Sequence, residues 1–254
     1  MAEGQEKGMR VLALVPARGG SKSMPRKNIQ RLGDHPLIAY SIAASLAANK
    51  VERVVVSTDD QEIGEISRAF GAEVPFLRPH HLAEDDTPDL PVFQHALEWF
   101  AEHEDYRPDI VLHVRPTSPL RPAGLLDRGI EILLAEPRAD SARAVVPSGE
   151  NPYKMWRPAG DGRIVPLLES EGVEVYNMPR QLLPRTFWQT GHLDVIRVQT
   201  ILLKRSMTGT FVLPIAMDPD YAIDIDQPRD MERAERLLLE GRLPLISPVM
   251  PSKR

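Results

Sequence analysis

The sequence predicts an α/β fold, a Rossmann-like, doubly wound and mainly parallel sheet that carries a small arm. Three observations predict it. Short continuous apolar runs alternate with amphipathic helical stretches along the chain, the pattern of a parallel sheet with helices on both faces. Three of the apolar runs end in chemistry-rich loops, ARGGSK, STDD and RPTSPLR, at the strand edge where such sheets bind ligands. With 254 residues and 42% apolar content, the chain is sized for one good core, so residues 1–254 are expected to form a single domain.

The elements follow in order. VLALVPA (11–17) reads as a buried strand closed by Pro and Gly. PLIAYSIAASLAANK (36–50) has helical spacing, VERVVVSTDD is a second strand, and QEIGEISRAFGA is a helix that Gly71 can terminate. PVFQHALEWFAEHE is a third helix and DIVLHVRPTSPLRP opens as a third strand. PAGLLDRGIEILLAEP is helical and SARAVVP is a fourth strand. Between about 147 and 190 the rhythm breaks into a Pro-, Gly- and aromatic-rich excursion, too aromatic for a disordered linker. GHLDVIR and GTFVLPIAM resume strand character, and QPRDMERAERLLLEG makes an amphipathic helix with Pro228 suited to its first turn.

Composition narrows the function classes. Thirty-one basic against 36 acidic residues give a net charge of −5, so no global positive field points to nucleic acid. The absence of Cys removes disulfides, thiolate zinc sites and a cysteine nucleophile. No apolar stretch approaches the ~20 residues of a membrane span and MAEGQEKGMR does not read as a signal peptide, so a cytoplasmic protein is expected.

The first strand-end loop, LVPARGGSKSMPRKN, is neither a Walker motif nor G-x-G-x-x-G. Gly19, Gly20 and Ser21 can still present backbone N–H groups to a polyphosphate, with Arg18, Lys22, Arg26 and Lys27 as countercharge. A solvated basic turn making surface ion pairs is the plainer alternative. In DIDQPRD, Asp224 and Asp226 alternate along an extended segment and share a face, which suits Mg²⁺; Asp226 could instead cap the following helix. No Ser-His-Asp set is evident; His192 and Asp194 alternate on one strand face, where His192 reads as structural or sugar-contacting.

Taken together, VPARGGSKSMPRKN, STDD, FLRP, RPTSPLR, PRQLLP and DID, in this order and spacing, resemble the acylneuraminate cytidylyltransferases over about residues 10 to 240. The resemblance implies a nucleotidyltransferase that binds CTP at the first loop. The anomeric hydroxyl of a 2-keto-3-deoxy acid sugar, a sialic or related nonulosonic acid, attacks the α-phosphorus and pyrophosphate leaves. By position, Arg18, Gly19, Gly20, Ser21, Lys22 and Lys27 correspond to triphosphate-binding sites, and Asn28 and Arg78 to nucleotide contacts. Arg18, Lys27 and Asp226 are the expected catalytic residues, with Asp224 and Asp226 as the Mg²⁺ ligands. Arg115, Arg180, Gln181 and Thr190 are the expected sugar contacts. Residues 147–190 correspond to a dimerisation arm, implying a homodimer whose site is completed across the interface. Ser23 replaces the usual Gly, Arg115 the usual Gln and Thr190 the usual Asn, so the phosphate end matches better than the sugar end. The alternatives are a GTP-using relative acting on a legionaminic-type sugar, a GT-A-like glycosyltransferase, which would release no pyrophosphate, and a non-catalytic nucleotide binder, which would need no metal site.

Overall fold

The first strand, β1 (Val11–Pro16), alternates its side chains between two cores, and both cores are apolar. In this computed structural model, which describes residues 8–169 and 174–251, Val11, Ala13 and Val15 pack on one face and Leu12 and Leu14 on the other. A strand buried on both faces needs no polar alternation, so VLALVP is a continuous apolar run.

Chain order then gives a short hairpin, β2 (Arg31–Leu32) and β3 (His35–Pro36), leading into α1 (Leu37–Leu46). β4 (Arg53–Ser57) and α2 (Gln61–Ala69) follow, the helix capped by the Asp60 side chain, which accepts from the Ile63 amide at 2.9 Å. Next come α3 (Asp89–His103), β5 (Ile110–His113), α4 (Leu125–Ala135) and β6 (Ser141–Pro147). An excursion carries the small hairpin β7 (Trp156–Pro158) and β8 (Ile164–Pro166). The chain returns through β9 (Phe187–Arg197), α5 (Val198–Leu202), β10 (Val212–Ala216) and α6 (Pro228–Glu240).

The main sheet has the order β10-β6-β9-β5-β1-β4. β1 runs parallel to β4 and β5, and β6 parallel to β10, whereas β9 is antiparallel to both of its neighbours. Helices α1, α2 and α4 cover one face; α3 and α5 cover the other. This is the doubly wound, mainly parallel sheet expected, with one antiparallel strand inserted at its centre.

The far end of the excursion differs from the sequence reading. The excursion is shorter at its far end, because Phe187–Gln189 already pair as strand with Val145–Pro147. The β6–β9 register also shifts between Arg143, opposite Asp194, and Val145, opposite Gln189, so residues 190–193 bulge. Arg121 is buried against that bulge: Nε donates to the His192 carbonyl at 2.8 Å, Nη1 to Ser41 Oγ at 2.8 Å and Nη2 to the Arg115 carbonyl at 2.5 Å. Burial pushes this guanidinium down to about 9, so it remains a cation at neutral pH.

Candidate active site

The carboxyl ends of β1, β4 and β5 open into a cleft of about 530 Å³. Its lining brings together Arg18, Gly20, Ser21, Lys22, Lys27, Asn28, Arg78, Arg115 and Asp226, from both ends of the chain. β1 delivers the basic loop because the run of apolar residues must stop at the sheet edge, where Pro16 and the glycines turn the chain outward.

Within the loop the residues divide. Arg18 Nη2 lies 2.7 Å from Asp85 Oδ1, and its Nη1 donates to the Glu84 carbonyl at 2.6 Å. Lys22 Nζ lies 2.5 Å from Asp85 Oδ2, a hydrogen bond that holds the Asp85 carboxyl below the usual carboxylate range. Lys27 Nζ lies 2.9 Å from Asp226 Oδ1. Buried Asn28 donates from Nδ2 to the Arg18 carbonyl at 3.0 Å and so fixes the turn. Gly19 supports the loop from below: its amide donates to Asp59 Oδ1 at 2.9 Å, and a Cβ there would stand 2.8 Å from Asp60 Oδ2. Its N–H is therefore committed to protein, a correction to the expectation that it faces phosphate. Arg26 is a second correction. In a left-handed conformation (φ 54°), it turns to Asp60 at 3.2 Å and Glu62 at 2.7 Å on α2, the surface ion pair of the plainer reading.

Arg78 enters from the segment between α2 and α3, its amide donating to the Thr58 carbonyl at the end of β4 at 2.7 Å. It is buried, 4.0 Å from Asp59 Oδ1, and burial lowers its guanidinium below the ordinary value. Its Nε and Nη2 have no hydrogen-bond partner among the described residues, leaving donors for a ligand.

Asp224 and Asp226 do share an exposed face, while Ile223 before them and Ile225 between them are buried in the core beneath α6. Asp226 does not cap α6. Gln227 is the N-cap, and the Gln227 amide donates to Asp230 Oδ2 at 2.8 Å, which releases Asp226 to the cleft. Ser118 Oγ donates to Asp224 Oδ1 at 3.3 Å.

On the sugar side the structure redistributes the expected residues. Arg115 lines the cleft, held by Asp194 Oδ2 at 3.0 Å and Asp89 Oδ2 at 3.1 Å. Arg180 and Gln181 line a different cleft, beside the excursion, where Arg180 Nη2 donates to the Gly149 carbonyl at 2.8 Å. Thr190 is buried in the sheet with its hydroxyl donated to the Ala144 carbonyl at 3.2 Å, so it serves the sheet and not the cleft, a correction to the expected sugar contact. His192 is structural too: burial, with Arg121 adding to it, pushes its imidazole down to about 3. Asp85, Asp89 and Arg143 escaped the sequence reading. The acidic stretch EDDTPD facing a basic loop was the one available signal for the first two.

The profile of the family described as "Cytidylyltransferase" matches residues 12–155, more than half of the chain. The chain belongs to this family. A cytidylyltransferase is a nucleotidyltransferase enzyme, and the cleft is its candidate active centre. The chain is 30% identical over 231 residues to the CMP-N,N'-diacetyllegionaminic acid synthase of Legionella pneumophila, covering 91% of this chain and 97% of that one. It is 28% identical over 225 residues to the N-acylneuraminate cytidylyltransferase of Escherichia coli, spanning 89% of this chain but 51% of that longer protein. Among solved structures, CMP:2-keto-3-deoxy-manno-octonic acid synthetase complexed with CTP superposes at a TM-score of 0.65 over 91% of this chain and 99% of its own. At 14% identity that match speaks for the fold.

Proposed function

We propose that this cytidylyltransferase joins CTP to a 2-keto-3-deoxy acid sugar of the nonulosonic class, giving the CMP-sugar and pyrophosphate. The observation that carries the reading is one cleft that gathers Arg18, Lys22 and Lys27 from the N-terminal loop with Asp226 from the far end of the chain. The names of the relatives support the substrate classes.

Phosphoryl-type displacement needs positioning and charge neutralisation more than a covalent nucleophile. Arg18 and Lys22 exchange Asp85 for triphosphate oxygens, and Arg18 offers a bidentate fork. Lys27 neutralises charge at the Asp226 side. Arg78 supplies its unpartnered donors to the nucleotide, and Arg115 meets the sugar.

Asp224 and Asp226 fit Mg²⁺, because two exposed carboxylates on one face leave the other coordination positions to water and phosphate. Among the described residues no group of three acidic or imidazole ligands could hold a metal without substrate. When bound, the ion supplies Lewis-acid stabilisation of the phosphate charge.

A cytoplasmic homodimer belongs to the same reading. The use of a nucleoside triphosphate supports the compartment, and the aromatic arm supports the dimer. No helix among the described residues is long and apolar enough to cross a membrane.

The test is pyrophosphate release with Mg²⁺, each of the four nucleoside triphosphates and three acids: N-acetylneuraminic, N,N'-diacetyllegionaminic and 2-keto-3-deoxy-manno-octonic. Release with CTP and a nonulosonic acid is expected. Release with GTP alone moves the base assignment, and none with any pair overturns the reaction.

A further inference from the structure

A row of charged side chains continues across the sheet beyond the triphosphate loop. Arg115 stands just past β5, Asp194 lies on β9 and Arg143 on β6, three adjacent positions in the strand order. In register, His113 faces Asp194 and Asp194 faces Arg143. The row leads from the loop on β1 to Gln189, beside Phe187 and Trp188, where the excursion rejoins the sheet.

Asp194 is the pivot of this row. Its carboxylate is 2% exposed and each oxygen takes a different guanidinium: Oδ1 accepts from Arg143 Nε at 2.5 Å and Oδ2 from Arg115 Nη1 at 3.0 Å. Arg143 Nη1 also donates to Gln189 Oε1 at 2.9 Å. Both arginines nonetheless keep about a fifth of their side chains exposed, 23% for Arg115 and 21% for Arg143. An ion pair serving only the core would have no reason to leave both cations at the surface, since burying two charges gains little stability over apolar packing. A guanidinium fork fixed beforehand has already given up the rotamer freedom that binding would otherwise cost. The loop on β1 and Arg78 beyond β4 take up the nucleotide side of the cleft, so an acceptor must approach over β5, β9 and β6.

We infer that Asp194 is a positioning residue for the sugar half of the reaction, fixing Arg115 and Arg143 as a two-guanidinium floor for the carboxylate and hydroxyl oxygens of the acceptor. The inference rests on the proposed reaction and adds two residues, Asp194 and Arg143, that the sequence did not assign to the sugar.

The test is steady-state kinetics with CTP, Mg²⁺ and whichever of the same three acid sugars the wild type turns over. Asp194→Asn keeps the shape and removes the charge; it is expected to raise the sugar KM on the order of tenfold, the scale of a charged hydrogen bond, with the CTP KM within about twofold. Arg143→Gln, at a part-exposed site that does not threaten folding, is expected to shift the same constant, and Arg143→Lys to restore part of it. In an Arg115→Gln background, Asp194→Asn is expected to add much less than it does alone, because the two act as one unit. Turnover by the wild type with an unchanged sugar KM in both Asp194→Asn and Arg143→Gln overturns the inference and leaves the reaction standing. Equal losses for CTP and sugar overturn it as well, returning Asp194 to the fold. No turnover by the wild type with any of the three acids ends the inference and the proposed reaction together.

Discussion

Lys27 and Asp226 are 199 positions apart in sequence and 2.9 Å apart in space, an ion pair that closes the cleft between the two ends of the chain. Asp226 is exposed, so the pair itself contributes little to stability. Replacing Asp226 by Asn is therefore expected to leave the unfolding midpoint nearly unchanged while lowering kcat by a factor on the order of 10² or more, as removal of a main electrostatic stabiliser does. Undiminished turnover in that variant, or in excess EDTA, removes the metal role. Two buried imidazoles give a second prediction. Burial, reinforced by neighbouring arginines, holds His113 well below its ordinary value and His192 at about 3, so both are neutral in the folded chain. The unfolded chain takes up their protons near pH 6.5 and the folded chain does not. Their contribution is therefore complete above pH 6.5 and is lost as pH falls toward about 3 for His192. The expected slope grows toward about 1.4 kcal/mol per pH unit for each histidine as pH falls below 6.5, so each costs about 1.3 kcal/mol between pH 7 and 5.5, read as a falling urea midpoint. A flat midpoint across that range removes the assignment of both rings as neutral. At this scale the sequence was legible where motif order carried the message, at Arg18, Lys22, Lys27 and Asp226. It was silent on direction: nothing in MPRKN distinguishes Arg26, whose left-handed backbone turns it to α2, from Lys27 beside it.

Among the elements, α4 is the one whose seating depends on a single missing side chain. Gly129 faces the sheet, and a Cβ there would lie 2.8 Å from Leu193 Cδ2 and 2.9 Å from both Ile215 Cδ1 and Val195 Cγ2. These methyl groups belong to the packed core beneath the helix and have little room to yield. Gly129→Ala is expected to destabilise by up to about 2 kcal/mol net, because an overpacking cost of about 1–3 kcal/mol outweighs the helix-propensity gain of about 1 kcal/mol. A higher urea midpoint in the variant would show that the helix rides freely. The amphipathic helices and the apolar strands were readable because each one's period matches its burial. β9 was only half readable. Its buried stretch carries His192 and Asp194 among apolar neighbours, and its exposed beginning, FWQ, resembles the loop before it. Its antiparallel direction is set by partners on β5 and β6, which local pattern does not encode.

For the whole molecule, the open question is what covers the excursion between β6 and β9. Trp156, Ile164, Leu167, Leu168 and Leu182 in that segment are exposed, as are Phe187 and Trp188 where it rejoins the sheet. Trp156 packs on Tyr176 with ring centroids 4.7 Å apart, so the excursion has some packing of its own and still leaves a large apolar surface in solvent. Surfaces of that kind, rich in Trp and Phe, mark association sites. Arg180 and Gln181 sit in this segment, in a cleft separate from the one that holds Arg18 and Lys27. A second copy is the occupant that would resolve both facts, by covering the apolar surface and bringing one protomer's arm over the other's cleft. Light scattering at micromolar concentration is expected to give twice the 28.5 kDa chain mass. The double variant Phe187→Glu, Trp188→Glu changes two exposed side chains and is expected to yield a folded monomer. That monomer should retain the thermal shift produced by CTP and Mg²⁺, about 2.7 kcal/mol of stabilisation at 100 times Kd, because the triphosphate site lies within one chain. Its turnover of acid sugar should fall. A wild-type monomer refutes the assembly, and a monomeric variant with full turnover shows that Arg180 and Gln181 have no part in the partner's reaction.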